Sequence, residues 1–136
     1  MSALKINWND LVIDECYIYE YKSMRFTGQA YDYGLCNEVL AETQFVEGVK
    51  QGVETEWNTN GQILSTYGFY CNRPHGACVE YSPNGMILLE SEYEFGVCIF
   101  EKRYKPDGTL FSEYSIKLDH EALSDLHAAR RVFLSG

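Results

Sequence analysis

The chain has 136 residues, 46% hydrophobic and 15% aromatic, enough for one domain that buries about two-thirds of its unfolded surface. Lys and Arg number 11 against 20 Asp and Glu, giving a formal charge of −9 and a pI near 4.7. Such a surface repels a phosphate backbone, whose binding rests on Lys and Arg displacing counterions, and disfavours an anionic membrane for the same reason; it either attracts a basic protein partner or serves solubility alone.

The first ten residues, Met-Ser-Ala-Leu-Lys-Ile-Asn-Trp-Asn-Asp, hold no apolar stretch of secretory length. No segment is long enough to span a membrane, so a cytoplasmic location is expected. Cys16, Cys36, Cys71, Cys78 and Cys98 make an odd count without a disulfide framework, which predicts free thiols, mostly buried. Residues 1–20, with Leu11-Val-Ile-Asp and Cys16-Tyr-Ile-Tyr, read as one or two strands capping the N-terminal side.

From residue 21 to 116 the sequence repeats in steps of about 24 residues, in about four copies. Phe45 recurs as Phe69 and Tyr93, Gly48 as Asn72 and Gly96, Gly52 as Gly76, Trp57 as Tyr81 and Tyr104, and Gly61 as Gly85 and Gly108. The last step is one residue shorter, with the loss before Tyr104. A backward step places Tyr21 under Phe45, Gly28 under Gly52 and Tyr33 under Trp57, but Asn37 stands where later copies have the turn glycine. Alternation such as Val53-Glu54-Thr55-Glu56-Trp57 has the period of strands. Asn58-Thr-Asn-Gly61, Ser82-Pro-Asn-Gly85 and Lys105-Pro-Asp-Gly108 are hairpin turns. One such hairpin is unstable alone in water, so the copies must stack edge to edge. The predicted fold is all-β: a single domain over 1–136, formed by an elongated, single-layer, twisted antiparallel sheet. Residues 117–136 supply a short helix and tail, with Asp119 as N-cap and Arg130 and Arg131 near the C-terminus. Leu123, Leu126 and Ala129 share a face expected to cover the last strand edge.

This spacing of Gly52, Trp57 and Gly61, then Gly76, Tyr81 and Gly85, then Tyr104 and Gly108, resembles the MORN (membrane occupation and recognition nexus) repeat. With the opening Phe45, Gly48, Gly52 and the Asn-Gly and Asp-Gly turns, it is most similar to the MORN-repeat variant of bacterial antitoxins, the YwqK-type family. The resemblance covers residues 21–116 and departs from the pattern at Asn37, Asn72 and Phe100. It implies a small cytoplasmic antitoxin or immunity protein that binds a cognate toxin domain with a basic surface and occludes its active site. The alternative is a MORN-type scaffold that tethers partners or membrane lipid; such a scaffold calls for basic clusters, and only Lys102-Arg103 and Arg130-Arg131 are adjacent pairs.

The candidate partner-binding residues are acidic and aromatic. Glu90, Glu92 and Glu94 alternate along one strand and so share a face. Glu54 and Glu56 share a strand, and Glu80 takes the place of Glu56 one copy on, which extends an acidic face across hairpins if the copies align. These carboxylates are either a docking stripe for a basic partner or an ordinary solvated face. Trp57, Tyr81 and Tyr104 hold one repeat position and are expected to pack between copies, whereas Tyr31, Tyr70 and Phe111 lie outside that register and are the better interface anchors. Cys71, His75 and Cys78 lie close in sequence but lack a Cys-x-x-Cys pair and a fourth ligand, so no metal is assigned. His120 and His127 have no nucleophile beside them. No catalytic residue and no cofactor is assigned, and the chain is expected not to be an enzyme.

Overall fold

A computed structural model describes residues 4–134. Eight strands follow one another as antiparallel neighbours: β5 (Gly28–Tyr33), β6 (Val39–Val46), β7 (Val49–Trp57), β8 (Ile63–Tyr70), β9 (Arg73–Tyr81), β10 (Ile87–Glu94), β11 (Val97–Tyr104) and β12 (Leu110–Ser115). The sheet is not wholly antiparallel, because β1 (Leu4–Asn7) joins it as a ninth strand, parallel to β5. Parallel neighbours need a crossover. Here it is a separate three-stranded sheet of β2 (Val12–Ile13), β3 (Tyr19–Tyr21) and β4 (Met24–Arg25).

Two kinds of turn alternate along the array. On one edge, two-residue turns have both central residues at positive φ: Lys22 and Ser23 (51° and 67°), Glu47 and Gly48 (48° and 84°), Cys71 and Asn72 (48° and 67°), Phe95 and Gly96 (48° and 87°). That is the type I′ geometry whose twist matches paired strands. On the other kind, the fourth residue has positive φ: Tyr17 and Asn37 at 62°, and Gly61, Gly85 and Gly108 near 90°. The turn at 34–37 is therefore intact despite its missing glycine, since Asn tolerates the left-handed region. The same geometry at 14–17 places half a copy before residue 21: Asp14 N–H donates to the Ile18 carbonyl (3.0 Å) as Asn58 N–H does to Gln62 (2.9 Å).

The small sheet is thus the start of the repeat array turned away from the rest. In later copies the strand after the two-residue turn is continuous, as in β7; in the first it breaks between β4 and β5 at Phe26–Thr27. The break buries Phe26 against Ile6, Ala30 and Phe45. Trp8 and Tyr19 close over Phe45, with ring centroids 5.7 and 4.9 Å away.

Successive tips are tied by a recurrent bond. At three of these four turns the second residue donates its N–H to a carbonyl 22 residues earlier: Gly48 to Phe26 (2.8 Å), Asn72 to Lys50 (3.0 Å) and Gly96 to Pro74 (2.7 Å). Asn72 also accepts from Lys50 N–H through Oδ1 (2.7 Å) and donates from Nδ2 to the Tyr17 carbonyl (3.0 Å). The one-residue loss in the last copy lies in β11. Between Thr43↔Glu54 and Phe45↔Lys50 the register shifts by two residues, as it does from Tyr67↔Cys78 to Phe69↔Pro74, but from Glu92↔Phe100 to Tyr93↔Cys98 by one.

Several expectations are corrected. Helix α1 (His120–Leu134) is capped by Asp119, whose Oδ1 accepts from Ala122 N–H (3.0 Å). It does not run along the outer edge of β12, which pairs only with β11; it folds back over the tips of β8/β9 and β10/β11, where Phe133 stacks on Phe95 (4.9 Å) and meets Tyr70 edge-on (5.8 Å). Trp57, Tyr81 and Tyr104 are half-buried rather than core, each paired across its hairpin with an aliphatic beside the turn: Ile63, Ile87 and Leu110. Tyr33 and Val39 form the equivalent pair in the first copy. All five thiols are free, but Cys16 and Cys36 are exposed and Cys71 and Cys98 half-buried, because three of the five sit in turns; Cys78 is buried.

Gly48 and Gly61 share a left-handed backbone but differ in surroundings. A Cβ on Gly48 would lie 2.9 Å from the Tyr19 carbonyl oxygen, whereas one on Gly61 meets open space. Gly48→Ala is expected to destabilise the fold by about 2–4 kcal/mol and Gly61→Ala by about 1–2 kcal/mol, the backbone penalty alone. Urea unfolding of the two variants measures the difference.

Candidate functional site

Register assigns each strand residue to a face. One cross-strand row reads Ala30, Thr43, Glu54, Tyr67, Cys78, Ser91, Glu101, and the next reads Asp32, Ala41, Glu56, Ser65, Glu80, Leu89, Arg103. This face carries the buried Thr43, Ser65, Cys78, Leu89 and Ser91. Small side chains next to long ones let a single sheet shelter its own interior. Glu54, Glu56 and Glu80 lie here.

Glu90 and Glu92 lie on the opposite face, across from Lys102 and Phe100. The six carboxylates therefore do not form one surface. The register shift between Ile87 and Leu89 sets Leu89, not Glu90, beside Glu80, and a one-residue shift exchanges faces. Glu94 is committed inside the fold: Arg130 of α1 donates to it through Nε (2.6 Å) and a terminal nitrogen (2.9 Å). These bonds hold the Glu94 carboxyl below its usual range, against the opposing effect of partial burial.

Of the proposed aromatic anchors, Tyr70 is enclosed by His75, Phe95 and Phe133. Tyr31 is half-buried, stacked on Tyr33 with its hydroxyl donating to Gln29 (3.1 Å). Phe111 is exposed on edge strand β12. Cys71, His75 and Cys78 do not converge: Cys71 sits in a turn, Cys78 is buried on the sheet face, and His75 Nδ1 accepts from Phe95 N–H (3.0 Å). Among the described residues no group of three or more His, Cys, Asp or Glu is placed to hold a metal ion.

What the fold does assemble is an acidic recess of about 250 Å³ on the first face, walled by Trp8, Asp32, Thr43, Lys50, Glu54 and Glu56. Glu54 accepts from Thr43 Oγ1 (2.7 Å) and pairs with Lys50 Nζ (3.1 Å). The Lys50 ammonium also lies 5.7 Å from the Trp8 ring and 4.9 Å from the Phe69 ring. Three carboxylates against one ammonium leave the recess two charges negative, beside an indole face suited to a cation. Farther along, burial and a hydrogen bond to Glu80 push the Tyr67 hydroxyl well above its usual range, so it stays a neutral donor. Trp8, Asp32 and Lys50 were not singled out from sequence. Asp32 had a signal, since it sits 24 residues before Glu56; Trp8 had none, because only the turning back of the N-terminal segment brings it here.

A larger hollow of about 550 Å³ lies between the small sheet and the β8/β9 tip, with Tyr17, Lys50, Cys71 and Arg73 in its walls. No helix of the described residues is long and apolar enough to cross a membrane.

No family model matches the chain, and no curated protein does either. Among solved structures, it is similar to a crystal structure of an S. aureus TarM mutant in complex with fondaparinux, alpha-GlcNAc-glycerol and UDP, at 14% identity and a TM-score of 0.42. The match covers 79% of this chain and 20% of that one, so the chain spans about one-fifth of that protein's length. A likeness at that level carries no argument about activity.

The Glu94–Arg130 pair generates a pH test. A carboxyl whose folded pKa lies below its unfolded value, about 4.3 for Glu, adds stability above that value and loses it as pH falls through the folded pKa. Glu94→Gln is expected to melt below the parent at pH 7, and the gap between the two melting temperatures to narrow as pH falls below about 4. Thermal melts of both proteins across pH 3–7 measure it.

Proposed function

We propose that this chain is a MORN-repeat antitoxin or immunity protein of the YwqK-type group, acting in the cytoplasm on a toxin domain with a basic surface. The observation that supports this best is the recess of Asp32, Glu54 and Glu56 against Trp8. Its size and net charge suit one Lys or Arg side chain from a partner, with the guanidinium or ammonium against Asp32 and Glu56, beside the Glu54 that Lys50 already pairs with. The surrounding face, with Glu80 and Glu101 in the same rows, extends the negative potential that steers a basic domain into contact. Toxins that act on nucleic acid or nucleotides need cationic clefts, and an acidic sheet laid over such a cleft excludes its substrate without any chemistry of its own.

The test is affinity capture from lysate of the source cell with this protein as bait, followed by co-expression of the captured protein. Recovery of one basic-domain partner through a moderate salt wash, with growth arrest by that partner relieved by this chain, is the expected result. Asp32→Asn with Glu56→Gln is expected to weaken the complex at least tenfold, about 1.4 kcal/mol, and to reduce its salt dependence, with the melting temperature nearly unchanged. Binding to liposomes with no captured toxin would replace this reading with the lipid-tethering scaffold.

A further inference from the structure

The acidic recess already holds a cation of its own. The Lys50 ammonium lies 3.1 Å from Glu54 Oε2, the oxygen that also accepts from Thr43 Oγ1 (2.7 Å), and within 5.7 Å of the Trp8 ring and 4.9 Å of the Phe69 ring. A carboxylate backed by aromatic faces is where a compact ammonium is best held, and Lys50 fills it. The hollow on its other side does not draw it away, since the walls there carry Arg73 and no carboxylate. The rest of the recess differs. Asp32 and Glu56 flank Ala41 in one cross-strand row, so their side chains stand on either side of a methyl-sized floor. Both residues are exposed, and neither carboxylate has a hydrogen bond or ion pair among the described residues.

We infer that Lys50 makes this recess selective for arginine over lysine, and that the partner's docking residue is an arginine whose guanidinium bridges Asp32 and Glu56. The inference rests on the reading of the recess as the docking point for a basic partner, and narrows it. Two facing carboxylates without a counterion repel each other, and a cation placed between them relieves that repulsion. Asp32 and Glu56 are two strands apart, about 9.5 Å from backbone to backbone. A planar guanidinium carries donors on opposite edges and reaches both carboxylates at once, whereas an ammonium is a point charge that pairs closely with one. The position where an ammonium would recover the difference, against Glu54 and the rings, is closed by Lys50. A partner's lysine therefore gains one carboxylate and its arginine gains two.

The experiment titrates isotopically labelled protein with end-blocked Gly-Arg-Gly and Gly-Lys-Gly at low ionic strength, following the amides of Asp32, Ala41 and Glu56 and the Trp8 indole. Expected are saturable shifts at these amides, with the arginine peptide bound tighter by about threefold or more. Lys50→Met is expected to bind the lysine peptide about threefold tighter than the parent does, with the Trp8 indole now shifting and the preference for arginine reduced. Asp32→Asn is expected to bring the arginine peptide down to the level of the lysine peptide. Equal binding of the two peptides by the parent, or a preference unchanged in Lys50→Met, would overturn the inference and leave a basic partner in place. No shift with either peptide at millimolar concentration would remove the recess as a docking point, and the inference with it. Lys50→Gln supplies the same comparison if Lys50→Met does not fold.

Discussion

The structure depends on turns that hold two consecutive residues at positive φ while their second N–H reaches a carbonyl 22 residues back. A hairpin joined by such a turn is marginal alone. The backward bond makes each tip a support for the previous copy, so the array gains from stacking what a small core does not supply. The core cluster of Phe45, Phe26, Ile6 and Ala30 lies at the N-terminal end, and farther along Cys78, Leu89, Phe95, Ile116 and Leu126 are also buried. Beyond it the sheet relies on ladder bonds, small buried residues flanked by long ones, and α1 lying over the last tips.

Both ends of the chain serve the same edge. The small sheet holds the β6/β7 tip, where Tyr19 N–H donates to the Gly48 carbonyl (2.8 Å), and reaches the β8/β9 tip through Asn72. The helix holds the β10/β11 tip through Phe133 and Glu94–Arg130. The next turn of the series would fall near residue 120, and α1 begins there. The two-residue-turn edge is occupied in this way, whereas neither end of the described chain covers the opposite edge. A rigid sheet carrying charges at fixed spacing suits recognition by shape and field rather than by induced closure.

Much of this was legible because it is periodic. The 24-residue step, the hairpin turns at 58–61, 82–85 and 105–108, and the Asp119 cap follow from residue types at fixed offsets. Less legible were turns without their usual residue, since Tyr17, Asn37 and Ser23 adopt positive φ that nothing in their identity requires; the half copy before residue 21 went unseen for that reason. Alternation within a strand tells which residues share a face of that strand, but the pairing between strands passes through irregularities, and that at Ile87/Leu89 sends Glu90 and Glu92 to the side opposite Glu80. The recess was half legible, through Asp32 at the Glu56 slot, and otherwise hidden because Trp8 arrives by tertiary folding.

The bond across copies is tested most directly by native-state hydrogen exchange, residue by residue, at the two kinds of turn. Gly48, Asn72 and Gly96 donate to a different copy, whereas Gly61, Gly85 and Gly108 donate within their own turns to Asn58, Ser82 and Lys105. If the tips are tied as described, the first three amides exchange only through openings that separate neighbouring copies, with protection at least tenfold above that of the second three. Equal, low protection at all six would show that the tips fray independently, and would contradict stacking through these bonds as the basis of the fold.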